Sequence, residues 1–324
     1  MNAPTPVSPA SSTANALDRF WLAPSPARRL ATVRILCGAF SVVYLLVRAP
    51  VMISFGRLHA RQFEPVGVVH VLSGPQPAAL TVALWALCVA AGVAFTLGLR
   101  YRYSGPLFGL LFLWVTSYRN SWGMIFHNDN LTVLHALALG LCPAAGEALA
   151  LDARGKPQPA DAGRYGWPLK LLCAAAAGAY LLAGVAKLRG AGLNWAGGDV
   201  LRNYIAYDAM RKIELGSIHS PVGAWLVRYA WPFPIISALS LALELGSPLA
   251  VVSRRIGKLW AVGMWSFHLG VLLMMAIVFP YPLSVGLAPF FDAERIWRWR
   301  PLQGVAQWFE RAPGAPLAPS EGRS

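Results

Sequence analysis

Apolar runs of helical length alternate with short polar segments along most of the chain. About 20 predominantly apolar residues cross a bilayer as an α-helix, and unpaired backbone groups are too costly in hydrocarbon to allow irregular spans. The pattern therefore predicts an all-α, polytopic integral membrane bundle with seven or eight transmembrane helices. The predicted spans are Leu30–Ser54, Ala78–Leu99, Pro106–Tyr118, Asn130–Pro143, Trp167–Lys187, Pro234–Val252, Leu259–Phe279 and a weak eighth at Pro282–Phe291.

The composition agrees with a membrane protein. Of the 324 residues, 56% are hydrophobic and only 13% are charged, too few to cover a soluble domain of this length. The formal net charge of +14 comes from basic residues that lie mostly between apolar runs, as topology determinants do, so nucleic-acid binding is not expected. The four cysteines form no CxxC pair and lie in or beside apolar runs, which is typical of small buried side chains.

The Lys and Arg residues of the short loops predict the orientation. Cytoplasmic loops are enriched in these residues, and a cytoplasmic N-terminus places Arg28, Arg29, Arg254 and Arg255 on the inner side. The segment 188–233 is interpreted as a long outer loop. The predicted organisation is a flexible cytoplasmic tail over 1–29, a membrane domain over 30–300 and a Pro-rich C-terminal tail over 301–324.

A polar cluster lies immediately before the fourth predicted span, in the stretch "SWGMIFHNDN". It contains His127, Asn128, Asp129 and Asn130. Asn and Asp accept hydrogen bonds from the free N–H groups of a helix start, so capping explains one or two of the four but not the histidine. A metal site that combines His127 with His135 is an alternative, although two His and one Asp are few ligands without a partner cluster.

The helix end "YLLAGVAKLRG" brings Lys187 to the membrane boundary. A lysine there can snorkel along apolar surface to the headgroups, which requires no function. Tyr180, Gly184 and Lys187 recur at i, i+4 and i+7 and share a face, on which Gly184 would allow close approach of another helix or a flat ligand. On an internal face, loss of solvation favours the neutral amine, which can act as a base.

Two further ionisable residues lie near the middle of later spans. They are Glu244 in "LALELGSPL" and His268 in "WSFHLGVLL". Ionisable groups at that depth usually face the bundle interior, so a functional role is the first hypothesis. A structural pair that fixes helix packing is the alternative, with Arg34 of the first span as a candidate partner of Glu244.

The predicted topology brings several of these residues to one side of the membrane. His127, Asp129, Lys187 and the loop that contains Trp195 all fall on the non-cytoplasmic face. Scattered snorkelling residues would not need to agree in this way, so we predict that Lys187 and His127 lie on the same membrane face and border one cavity.

Two segments together resemble the horizontally transferred transmembrane (HTTM) domain family, bacterial relatives of vitamin K-dependent γ-carboxylase. They are "SWGMIFHNDNLTVLHALALGLCP" and "YLLAGVAKLRGAGLNWAGGDVLRNYI". The resemblance covers about Leu30 to Arg300, and its most specific motif is Tyr-x3-Gly-x2-Lys-Leu followed by Gly-x2-Trp. It implies a multi-pass protein of the bacterial inner membrane.

The resemblance also implies roles for individual residues. In the carboxylase, a lysine at the equivalent helix end deprotonates the reduced vitamin as oxygen adds, and a histidine on the same lumenal side assists. Carried over, Lys187 is the base and His127 the assisting histidine, with Asn128 in that position if the alignment shifts by one residue. Tyr180, Gly184 and Trp195 would lie beside the quinol cofactor, and Asn128, Asp129, Glu244 and His268 would support the site.

The chain departs from the carboxylase after "RIWRWR", where a short Pro-rich segment replaces the large lumenal domain that engages a protein substrate. Quinol chemistry is therefore expected more than glutamate carboxylation. The leading hypothesis is a carboxylase-like or quinol-dependent membrane enzyme, with membrane lipid and a quinone or peptide substrate as its partners. The alternatives are a non-catalytic membrane partner or assembly factor, and a small-solute transporter with Glu244 and His268 as a proton relay, which the lack of visible inverted repeats disfavours.

Overall fold

Helices form the regular structure of the chain, as a computed structural model of residues 12–311 shows. Within these residues the only β-pairing is an isolated bridge between Ser25 and Ala162, which confirms the predicted all-α fold. The α-helices of the described part are α1 (Ser12–Trp21), α2 (Ala27–Val47), α3 (Ala49–Ser54), α4 (Ala78–Leu97), α5 (Tyr101–Asn120), α6 (Asn130–Gly140), α7 (Gly163–Ala191), α8 (Asp199–Glu214), α9 (Pro221–Leu226), α10 (Pro232–Leu245), α11 (Leu249–Val252), α12 (Arg254–Met275), α13 (Pro280–Ser284) and α14 (Arg300–Glu310).

Four helices of the described part are long and apolar enough to cross a membrane: α2, α4, α12, and α7 together with the 3₁₀ turn that follows it. Helix α10 is apolar but has only 14 residues. The predicted number of seven or eight membrane helices is therefore not confirmed, although each of the first seven predicted spans contains a helix.

The predicted eighth span is not a single helix. It covers the end of α13 and a separate 3₁₀ turn at Ala288–Phe290. Proline lacks a backbone N–H and clashes with the preceding helical turn, so Pro282 and Pro289 allow only short turns here. Tyr281 and Phe290 are buried, so these turns pack against the bundle.

The long helices define two ends of the bundle. The N-terminal parts of α2, α7 and α12 lie together at one end, which we call the basic end because Arg29, Lys170 and Arg254 line a crevice there. The C-terminal parts of α7 and α12 lie together at the other, which we call the cavity end because Lys187 and Met275 line a large cavity there.

The predicted tails lie partly outside the described residues, which exclude 1–11 and 312–324. Inside the segments assigned to the tails, the structure contains α1 and α14. The division into two tails and a membrane domain stays a prediction.

Candidate functional site

A cavity of about 1130 Å³ lies at the cavity end, between the C-terminal part of α7 and helices α8, α10 and α12. Lys187 is the only charged side chain among the described residues that line it. The other walls are mostly apolar, with side chains such as Leu243, Phe267, Val271 and Met274. A large apolar cavity with few polar groups is typical of a small-molecule or cofactor site. We call it the Lys187 cavity.

Lys187 forms an ion pair with Glu244 of α10. The lysine side chain is 20% exposed and that of Glu244 only 3%, so the ammonium reaches the cavity wall and the carboxylate is enclosed in the bundle. The Nζ atom also lies 5.1 Å from the ring centre of Trp195 and 5.4 Å from that of Phe267. Such cation–π contacts stabilise a desolvated cation, so the cavity can hold Lys187 in its charged form.

Gly184 allows α7 and α10 to approach closely enough for this ion pair. A Cβ atom at Gly184 would lie 3.0 Å from Glu244 Cβ and 3.0 Å from Leu245 Cδ2, closer than side chains normally pack. The small residue is therefore used to admit another helix, which was one of its two predicted uses. Gly184 is not among the described residues that line the Lys187 cavity.

Tyr180 and His268 form a second buried pair behind the cavity wall. The Tyr180 hydroxyl lies 2.7 Å from His268 Nε2, and its ring packs edge-on to Trp260 at 5.4 Å. His268 Nδ1 is buried and has no hydrogen-bond partner among the described residues. Of the three residues predicted to bind the cofactor, Trp195 lines the Lys187 cavity, and Tyr180 and Gly184 are not among its described lining residues.

His127 lies at the same end of the bundle but outside the cavity. It is exposed in a 3₁₀ turn, and its ring centre is 6.3 Å from that of Phe279, which in turn is 5.0 Å from that of His268. The described lining of the cavity does not include His127, so the expectation that it borders one cavity with Lys187 is wrong. Phe279 therefore contacts both His127 and His268, and none of these three residues is among the described residues that line the cavity.

Asp129 belongs to a buried polar cluster with Tyr44 and Arg119. Tyr44 donates a hydrogen bond of 2.5 Å to Asp129 Oδ2, and Arg119 pairs with the same oxygen. The guanidinium also lies 4.1 Å from the ring centre of Phe126. Asp129 makes no side-chain hydrogen bond that caps α6, so the capping interpretation is wrong for this residue. It ties α2 and α5 to the turn before α6, while the adjacent Asn128 is half-buried.

Both ring nitrogens of His135 have hydrogen-bond partners other than His127. It is buried, with Nδ1 at 2.8 Å from the Tyr281 hydroxyl and Nε2 at 3.1 Å from the Leu172 carbonyl oxygen. It therefore does not form a pair with the exposed His127. Among the described residues, no three His, Cys, Asp or Glu side chains are grouped to hold a metal ion.

The expected pairing of Arg34 with Glu244 is wrong. Arg34 is fully buried and donates to the backbone carbonyls of Ala145 at 2.6 Å and Leu149 at 2.5 Å. It therefore satisfies carbonyl groups of the segment that follows α6, and the cation beside Glu244 is Lys187.

Helix α8 supplies a wall of the cavity that the sequence interpretation missed, because the segment 188–233 was taken as a loop. Val200, Leu201, Tyr204 and Ile205 of α8 line the cavity. Their spacing of one, four and five residues is a helical signal, which the mixed charges of the segment obscured.

The HTTM domain model matches residues 23–295, which is most of the chain. The chain belongs to the HTTM domain family. This confirms the predicted family, and with the four apolar helices it identifies a membrane protein. No curated protein and no solved structure matches this HTTM protein.

Proposed function

We propose that this HTTM protein is a quinol-dependent, carboxylase-like membrane enzyme that uses Lys187 as a base on the non-cytoplasmic side. The observation that carries the proposal is the placement of a single charged side chain, Lys187, on the wall of a large apolar cavity. A lysine that only marked a helix end would need neither an enclosed carboxylate nor a cavity.

Glu244 gives Lys187 a route to its basic form. Moving the proton from the ammonium to the Glu244 carboxylate converts the ionised resting pair into a neutral amine and a neutral acid, and loss of solvation lowers the cost of this transfer. The Lys187 amine would then be placed to accept a proton from a hydroxyl of a bound quinol. As an ammonium, Lys187 would stabilise negative charge that develops beside it in the cavity.

The shape and composition of the cavity support an aromatic, apolar ligand. Trp195 and Phe267 line the cavity beside the Lys187 ammonium and add aromatic surface against which a flat quinol ring can pack. The remaining apolar walls suit a hydrocarbon substituent. The assisting role of His127 or Asn128, and the supporting roles of Asp129 and His268, belong to this proposal as expectations.

A non-catalytic membrane partner is the second candidate. It is favoured by the Asp129–Arg119 pair and the Arg34 contacts, which show that other buried charges in this bundle serve packing. The transporter hypothesis receives less support, because Glu244 and His268 bond to different partners, Lys187 and Tyr180.

Substitution Lys187→Arg tests the proposal. Arginine keeps the positive charge and can reach the headgroups, but it does not lose its proton in a protein and cannot act as a base. In a strain that lacks the gene, the variant at normal membrane level should lower the rescued activity roughly 10²-fold or more, the scale for removing a general base. Lys156→Arg, at an exposed loop position, is the matched control and should rescue fully. Full rescue by Lys187→Arg would reject the base role and favour the non-catalytic candidate.

A further inference from the structure

A second crevice, of about 230 Å³, lies at the basic end between α2, α7 and α12. Arg29, Lys170 and Arg254 line it, and no acidic side chain is among its described lining residues. Leu169 and Phe290 form an apolar part of the wall. The crevice therefore combines three cations with an apolar surface, and it lies at the end opposite the Lys187 cavity.

Two carboxylates next to the crevice neutralise only part of this charge. Arg29 bonds to Glu294 at 2.6 and 2.8 Å and lies 2.7 Å from Asp292. Arg254 and Lys258 pair with the same Asp292 carboxylate. Because several cations share two anions, the region keeps a positive charge that an additional anion can neutralise.

Lys170 contributes the least compensated cation. Its Nζ atom donates to the Val251 carbonyl at 3.2 Å and lies 4.1 Å from the ring centre of Phe20, and within the described residues it has no ion pair with a carboxylate. The side chain is half-buried and lines the crevice. An ammonium held by one carbonyl and a ring face has donor capacity left for a ligand.

The basic end carries exposed tryptophans, as is typical of a surface at the level of the lipid headgroups. Trp21 of α1, Trp299 just before α14 and Trp308 of α14 are 36%, 63% and 43% exposed. Helix α14 is held at this end by an ion pair between Arg28 and Glu310 at 3.2 Å. Tryptophan is enriched where a membrane protein meets the headgroup layer.

We propose that the crevice binds the phosphate of an anionic phospholipid headgroup, with Lys170 and Arg254 as its direct ligands. Basic pockets between membrane helices recognise such headgroups. Arg29 also lines the crevice and adds positive charge there while it stays bonded to Glu294. A lipid also uses the apolar wall of Leu169 and Phe290, which a free phosphate ion leaves uncovered.

The test uses the full-length protein in zwitterionic nanodiscs, titrated with phosphatidylglycerol and followed by native mass spectrometry of the bound lipid. Lys170→Gln and Arg254→Gln should each weaken phosphatidylglycerol binding about fivefold, the effect of roughly 1 kcal/mol per basic residue near an anionic surface. Arg57→Gln, which removes an exposed arginine outside the crevice, should leave binding unchanged. Lys170→Arg keeps the charge and should bind nearly as well as the wild type.

Inorganic phosphate separates the two sources of the anion. At millimolar concentration it should fail to displace phosphatidylglycerol, because it lacks contacts with the apolar wall. Displacement by inorganic phosphate would overturn the lipid assignment. Equal losses in Arg57→Gln and the two crevice variants would show a diffuse charge effect and reject the site.

Discussion

Replacing Lys187 with methionine should destabilise the protein, because the change leaves Glu244 in the bundle without its cation. Removing one partner of a buried ion pair costs about 3–5 kcal/mol. The loss has an upper limit, because the carboxylate can instead take up a proton. From an ordinary carboxyl pKa of about 4.3, protonation costs about 3.7 kcal/mol at pH 7 and only about 1 kcal/mol at pH 5. The free energy of unfolding should therefore fall by about 3–4 kcal/mol at pH 7 and by much less at pH 5.

Removing the carboxylate of the ion pair should lower the stability less than removing the ammonium. Glu244→Gln leaves the Lys187 ammonium at the cavity wall, where its side chain is 20% exposed and contacts the rings of Trp195 and Phe267. We expect a loss of about 1–2 kcal/mol, since water and the rings stabilise this cation. The double variant contains neither charge and should be more stable than Lys187→Met alone, because replacing both partners of a buried pair is often nearly neutral.

A double-mutant cycle measures this coupling. Reversible unfolding of the four proteins in mixed micelles, followed by circular dichroism at pH 7 and pH 5, gives the interaction energy. Single losses of about 3–4 and 1–2 kcal/mol, with a nearly neutral double variant, give a favourable coupling of about 4–6 kcal/mol at pH 7 that decreases at pH 5. Additive losses, or a loss in Lys187→Met that is the same at both pH values, would refute an ionised pair in a desolvated site.

Two further predictions concern the basic end and the topology. Burial acts to raise the pKa of Glu294, but its hydrogen bond with Arg29 and the nearby positive charges outweigh burial and hold that pKa below its ordinary value of 4.5. The stabilising contribution of this carboxylate should thus be complete above about pH 4.5 and disappear as the pH falls through its lower pKa in the folded protein. The stability difference between wild type and Glu294→Gln should therefore shrink in acid. A pH-independent difference would contradict this prediction. For the topology, a membrane-impermeant thiol reagent should label Ser217→Cys at the cavity end in intact cells and Lys156→Cys only after permeabilisation, and the opposite pattern would reject a cytoplasmic N-terminus.

The long apolar helices could be predicted from the sequence because their signal is local. The prediction for Ala78–Leu99 differs from α4 by two residues at its end, where Gly98 adopts a left-handed conformation with φ of +65° and ends the helix. Helix α12 begins earlier than predicted, at Arg254, because the Ser253 side chain accepts a hydrogen bond from the Ile256 amide and caps it. A search for apolar runs leaves out a charged first turn, so it places the start of this helix too late.

The partners of the buried charges could not be predicted in the same way. Lys187 and Glu244 are separated by 57 positions and meet because Gly184 lets α7 and α10 pack closely. The apolar surroundings of Glu244 indicate that it faces inward, but not which cation it contacts. Arg34 is an equally reasonable partner by sequence, and only the contacts of its guanidinium with carbonyl groups exclude it. The contact of His127 with Phe279 likewise joins distant parts of the chain and has no local signal in the sequence.

Filling the Lys187 cavity with a larger side chain should block ligand binding there. A Cβ atom at Gly270, which lines the cavity, would meet only Met274 Cε at 3.6 Å, so Gly270→Leu can fill space without a backbone clash. Gly178→Leu is the matched control, because a Cβ there meets nothing within 4 Å and Gly178 is outside the described cavity lining. The measurement is the binding of a short-chain naphthoquinol to the purified protein under anaerobic conditions, followed by quenching of tryptophan fluorescence. Saturable binding is expected for the wild type and for Gly178→Leu, and binding weakened by roughly tenfold or more, about 1.4 kcal/mol, is expected for Gly270→Leu. Equal affinity in all three proteins, or no saturable binding to the wild type, would contradict ligand binding in this cavity.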